Sequence, residues 1–216
     1  MNSDSDAYVK FAHHRKWFNK LWFSESMNYN CGPAGIKPLE KGYYIVRPIM
    51  NISGMSVGAE KVFLDTEGSH KTPPGYFWCE FFTGRQFSVT YENVNNNWII
   101  KSCWQGYKND SNLSKFVKWE RCSHLREHEN LPNLFAELND LKTINVEFIE
   151  DKPIEVHLRS SPDPEYDILI PIWENEKYLI DKYKKMNYKI IYSYDDADGN
   201  LDVARIAFAV KNDKKE

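Results

Sequence analysis

A chain of 216 residues, 42% hydrophobic and 27% charged, is long enough to bury a full core and reads as globular rather than disordered. Its formal charge of -3 provides no broad basic face, which argues against nucleic acid as a partner. No apolar run of membrane-spanning length and no leader-like segment stand out, so no membrane association and a cytoplasmic location are expected.

In chain order, residues 1–27 form an expected N-terminal helical segment, with Phe11, Trp17, Phe18, Leu21, Trp22 and Phe23 giving a wide apolar face over 8–27. Its basic stretch "KFAHHRKWFNK" reads as the solvated face of an amphipathic helix. Prolines and glycines in 28–42 mark a loop, and a small lobe is expected over 28–79. Strands are predicted at 43–49 and 59–64, joined by a loop carrying Gly54 and Gly58. Residues 76–94 read as two strands joined around Thr83-Gly84, and 98–108 as a further strand. A larger lobe over 80–210 follows. "HLREH" puts His124 and His128 at helical zinc-ligand spacing, but no further ligand accompanies them.

Pro132, followed by Leu134, Phe135, Leu138 and Leu141 on one face, predicts a helix over 131–142. Residues 143–160 read as a hairpin turning at 150–153, and a helix is expected from about 174. A second hairpin spans 188–210 across Asp198-Gly199-Asn200, and a disordered tail is expected at 211–216. The four cysteines form no CxxC pair and read as reduced thiols. The sum is an α+β fold with mostly antiparallel sheets.

The hairpin 143–160 carries the most chemistry. Glu155, His157 and Arg159 alternate along one strand and therefore share a face, and Glu147 sits on the partner strand. Carboxylates are the hard oxygen ligands Mg²⁺ takes, and the fork of Arg159 suits a phosphate or carboxylate. The competing reading is an exposed sheet face with cross-strand Glu–Arg pairing.

Three stretches in this order, "YYIVRPIMNISGMSVGAEKVF", "CEFFTGRQFSV" and "VEFIEDKPIEVHLR", resemble the ATP-grasp superfamily. The resemblance implies a two-lobed fold that uses Mg·ATP to phosphorylate a small-molecule or peptide carboxylate, with an amine displacing phosphate to form an amide. It places Arg47 as the phosphate-contacting residue, with Lys61 as a second, and Asn51, Ser53, Gly54, Ser56, Gly58 and Ala59 in a loop covering the triphosphate. Cys79, Glu80, Phe81 and Phe82 would line the adenine, and Gln86 the ribose. Glu147, Glu155 and His157 would hold Mg²⁺, with Arg159, like Arg47, in a catalytic role. The chain departs from the family pattern in having Arg for Lys at 47, Gln for Glu at 86 and His for Asn at 157. Because only residues 1–42 precede the first predicted strand, a partner chain is expected to supply the acid-binding domain common in these ligases. A non-catalytic ATP-grasp-like or other α+β binding protein acting through a partner is the alternative.

Overall fold

The computed structural model describes residues 3–50, 52–66, 71–108, 113, 115–122, 128, 130–159 and 166–211. Polar caps break the N-terminal segment into three short pieces. Ser3 accepts a hydrogen bond from the Asp6 amide to open α1 (Asp4–Lys10), and a 3-10 helix (Ala12–Phe18) follows. The Asn19 side chain then accepts from the Trp22 amide at 2.9 Å and starts α2 (Lys20–Ser26). A single helix over 8–27 does not form, since Asn19 ends one element and begins the next.

The strands form two antiparallel sheets. The small sheet holds β1 (Cys31–Pro33), β2 (Gly42–Pro48), β3 (Glu60–Leu64) and β4 (Tyr76–Glu80) in the order β1-β4-β2-β3. The large sheet holds β5 (Gln86–Val94), β6 (Asn97–Lys108), β7 (Phe116–Arg121), β8 (Thr143–Ile149), β9 (Lys152–His157), β10 (Ile168–Trp173), β11 (Tyr188–Asp195) and β12 (Arg205–Lys211). Its order is β11-β12-β10-β7-β6-β5-β8-β9. β4 and β5, adjacent in sequence, therefore belong to different sheets, and residues 81–85 between them are the crossing. α3 (Leu179–Lys185) packs on β11.

The period of two sorts the β5 and β8 side chains cleanly. Phe87, Val89, Tyr91, Ile144, Val146 and Phe148 enter the main core with Trp17, Phe23 and Phe135. Their alternates, Ser88, Thr90 and Asn145, are buried and hydrogen-bonded to one another. The Trp17 and Phe135 rings lie 5.2 Å apart and join the N-terminal helices to the segment 133–138 within the same core.

The helix expected over 131–142 is a 3-10 helix, Asn133–Leu138. Its continuation is stopped by side chains that grip the following residues. Asn93 donates to the Asn139 carbonyl at 2.7 Å, and His13 and His14 lie 3.0 and 2.8 Å from the two oxygens of Asp140. The basic N-terminal stretch is likewise not a uniformly solvated face: Lys16 pairs with Glu137, and Lys20 is buried. Lys211 ends β12, and the expected tail from 212 onward lies outside the described residues, as do Asn51 and His124. His128 is buried between Phe87 and Phe148, at centroid distances of 5.1 and 4.3 Å. All four cysteines are free thiols.

Truncating the ring that joins that segment to the helices should be severe. Phe135→Ala is expected to cost about 3–5 kcal/mol, measured by chemical denaturation.

Candidate functional site

The two sheets face each other across a cleft of about 640 Å³. Its roof comes from Arg47 and Pro48 at the end of β2, with Ser56, Val57 and Ala59 of the loop that follows. The loop owes its shape to left-handed backbone at Gly54, Met55, Ser56 and Gly58 (φ 77°, 52°, 55° and 74°). Ser53 turns away from the cleft and donates to Asp198 at 3.3 Å. Of the loop residues expected to contact phosphate, Ser56 lines the cleft, while Ser53, Gly54 and Gly58 do not.

The crossing 81–85 closes one end of the cleft with an aromatic wall. Phe82 packs edge-on against Tyr29 at 4.8 Å and under Lys152, while Lys61 lies over Phe81 at 4.4 Å. Lys61 thus braces the wall and is not among the cleft-lining residues, contrary to its expected phosphate contact. Arg85 fastens the crossing to the β8–β9 turn through Glu150: its amide donates to one carboxylate oxygen at 2.7 Å and its guanidinium to the other at 2.8 Å. Gly84 (φ +130°) leaves no alternative residue type, since a Cβ there would come within 2.6 Å of Glu150.

The floor holds the carboxylates. Glu147 and Glu155 are directly paired across β8 and β9, so both point to one face. Gln86 donates to Glu147 at 3.1 Å, beside the carboxylate pair and not in the aromatic wall. Glu155 meets Lys20 Nζ at 2.6 Å and Arg47 Nη1 at 3.7 Å. Burial would raise its pKa, but Lys20, His157 and Arg47 outweigh burial and hold it below the ordinary value. Arg47 also donates to the Ile154 carbonyl at 3.1 Å, and its buried Nε has no hydrogen-bond partner among the described residues.

Behind the floor lies a second ionic cluster. Arg159 holds Asp4 by two contacts, 2.9 Å from Nε and 3.2 Å from Nη2, and His157 Nδ1 is 2.8 Å from the same carboxylate. The fork of Arg159 therefore takes a carboxylate of its own chain and stands outside the cleft lining, where a catalytic role had been expected. Burial raises the Asp4 pKa and is outweighed by His157 and Arg159, which leave the carboxyl well below its usual range. Burial also depresses His157, but Asp4 and a hydrogen bond to Glu147 prevail and push it up to about 10.

Three participants escaped the sequence reading: Lys20, Asp4 and Lys108. Lys108 ends β6 in the cleft with no ion pair among the described residues, stacked on Phe116 at 4.6 Å, and burial lowers its pKa. Lys20 had a detectable signal, since spacings of three put Trp17, Lys20 and Phe23 on one helical face.

No protein-family model matches the sequence, and no curated protein is significantly similar to it. Solved structures share the fold. N5-carboxyaminoimidazole synthetase from Staphylococcus aureus, complexed with ADP, is 11% identical with a TM-score of 0.53, the match covering 91% of this chain and 68% of that one. Carboxyaminoimidazole ribonucleotide synthase from Aspergillus clavatus, complexed with ATP, is 10% identical at the same TM-score and coverage. The match to an ATP-grasp superfamily protein from Archaeoglobus fulgidus is 13% identical (TM-score 0.40), covering 67% of this chain, and that to an L-amino acid ligase from Bacillus licheniformis is 12% identical (TM-score 0.44), covering 68%. This chain spans 46% and 42% of their respective lengths, less than half of either. The architecture is an α+β, ATP-grasp-like fold. No helix among the described residues is long and apolar enough to cross a membrane.

The metal that the resemblance implies meets a poor donor set. Mg²⁺ takes free carboxylate oxygens. Here Glu155 faces Lys20 and Arg47, Glu147 accepts from Gln86, and His157 Nδ1 is engaged by Asp4. Glu147, Glu155 and His157 do converge, but as an ion-paired cluster that does not fit Mg²⁺.

The Asp4 cluster generates a pH prediction. Because the folded His157 pKa lies above the ordinary 6.5, its stabilisation is complete below about 6.5 and is lost as pH rises through about 10. Asp4→Asn should cost about 3–5 kcal/mol near neutrality and flatten the stability profile between those two pH values, as read from urea unfolding across pH.

Proposed function

We propose that this chain binds ATP in the cleft between its sheets and uses it to activate a carboxylate, small-molecule or peptide, as an acyl phosphate that an amine then captures. One observation carries the reading. The cleft joins an aromatic wall at Phe81–Phe82 to two cationic groups, Arg47 at the end of β2 and Lys108, which has no ion pair among the described residues. Such a site suits a flat base at one end and a polyphosphate at the other. Two solved structures that share the fold are complexes with ADP and with ATP, which supports a nucleotide as the ligand.

In this reading Glu80, Phe81 and Phe82 receive the adenine, and Ser56 with the loop backbone covers the phosphates. Arg47 and Lys108 offset the charge that spreads over the phosphoryl oxygens during transfer, so that catalysis is positioning plus electrostatics. No protein nucleophile is required.

A second reading, a nucleotide-binding protein without catalysis that acts through a partner, is favoured by one contact: Glu155 is already neutralised by Lys20. Release of ADP that depends on added acid and amine separates the two, because a binding protein releases none.

ATP at a hundred times its dissociation constant, in buffer containing Mg²⁺, is expected to add about 2.7 kcal/mol of stability, read as a rise in unfolding midpoint. Arg47→Met should weaken binding about tenfold or more, and Arg47→Lys less. An unchanged midpoint at millimolar ATP would contradict the proposal.

A further inference from the structure

The metal-ligand face of the hairpin is filled by the protein's own cations. Lys20 Nζ sits 2.6 Å from Glu155 Oε1, and Arg47 Nη1 sits 3.7 Å from Oε2, so both oxygens of the more deeply placed carboxylate look at fixed positive charge. Neither cation is a mobile surface group: the Lys20 side chain is 8% exposed and that of Arg47 is 13% exposed. They also arrive from different parts of the chain, α2 and β2, so the convergence is built by the tertiary fold. Among the residues that line the cleft, Lys20, Arg47, Arg85 and Lys108 match Glu80, Glu147, Glu150 and Glu155 charge for charge before any metal is added.

Both a Mg²⁺ ion and an ammonium group bridge a carboxylate to phosphate oxygens by charge. An ammonium does so with up to three directed donors, and Lys20 lines the same cleft as Lys108 and Arg47. We infer that the cleft takes the metal-free form of a nucleoside triphosphate, with Lys20 standing where a divalent ion would bridge Glu155 to the phosphates. This rests on the nucleotide reading proposed above and specifies the charge state of its ligand. Binding of divalent metal to the nucleotide competes with this mode, because Mg²⁺ neutralises the very oxygens that Lys20, Arg47 and Lys108 address.

The test is isothermal titration calorimetry of the full chain with adenylyl imidodiphosphate, once in EDTA and once in excess Mg²⁺. The inference expects affinity in EDTA equal to or above that in Mg²⁺. Lys20→Met is expected to lower the EDTA affinity about tenfold or more and Lys20→Arg to retain most of it. Glu155→Gln, which frees Lys20 and removes a negative charge without altering shape, should raise affinity in EDTA; a magnesium-ligating Glu155 would instead make that variant weaker in Mg²⁺. Binding that is about tenfold weaker in EDTA than in Mg²⁺ overturns the inference and leaves the nucleotide reading standing. So does a Lys20→Met chain that binds in EDTA like the wild type. Absence of binding in both buffers overturns the nucleotide reading and the inference with it.

Discussion

The structure turns on one buried carboxylate. Glu155 on β9 belongs to the large sheet, its partner Lys20 to the N-terminal helices and its partner Arg47 to the small sheet, so a single side chain ties three parts of the chain together. Burying such charges is expensive, and their mutual attraction offsets that cost only when all are present; removal of one leaves the others stranded. The geometry between the helices and both sheets is therefore set at the floor of the cleft. His157 and Arg159 continue the pattern, both held by Asp4 from α1, so the whole alternate face of this strand is ionic and each member is answered by another element.

That constraint accounts for what the cleft offers a ligand. Glu155 is occupied by Lys20 and Glu147 by Gln86, while Lys108 lines the same cleft with no ion pair among the described residues. The aromatic wall is held rigid from several sides. Lys61 and Lys152 stack on Phe81 and Phe82, and the Arg85–Glu150 contact anchors the crossing to the hairpin that carries the carboxylates. The roof is the loop after β2, whose Ser53 lies outside the cleft lining and is tied to Asp198 and Asn200 in the turn of the β11–β12 hairpin. Two ends of unlike chemistry are thus presented at fixed separation, as a nucleotide requires.

Much of this was legible in the residues, because strands write their period of two into the sequence. The hairpin 143–160 placed Glu155, His157 and Arg159 on one face by alternation, and the register of β8 and β9 does pair Glu147 with Glu155. The order of glycine loop, aromatic crossing and carboxylate hairpin pointed to an ATP-grasp-like fold, which the structural neighbours share. What alternation cannot show is who answers each charge. Asp4 lies far along the chain from His157, and nothing in its neighbours marks it as buried. Lys20 sits within a basic run that reads as solvated unless its three-residue spacing to Trp17 and Phe23 is given weight. Helix lengths were misread for a related reason: the residues that stop the helix near 139, His13, His14 and Asn93, all come from elsewhere.

The central claim is that the cleft between the sheets holds a nucleotide over a carboxylate, Glu155, already neutralised by lysine and arginine. A crystal structure of the full chain with adenylyl imidodiphosphate, grown without Mg²⁺ and then soaked in it, tests it most directly. The account predicts adenine against Phe81 and Phe82, phosphates contacted by Arg47, Lys20 and Lys108, and the Lys20–Glu155 contact intact. A nucleotide bound outside the cleft, or an ion on Glu147 and Glu155 with Lys20 displaced, would contradict it.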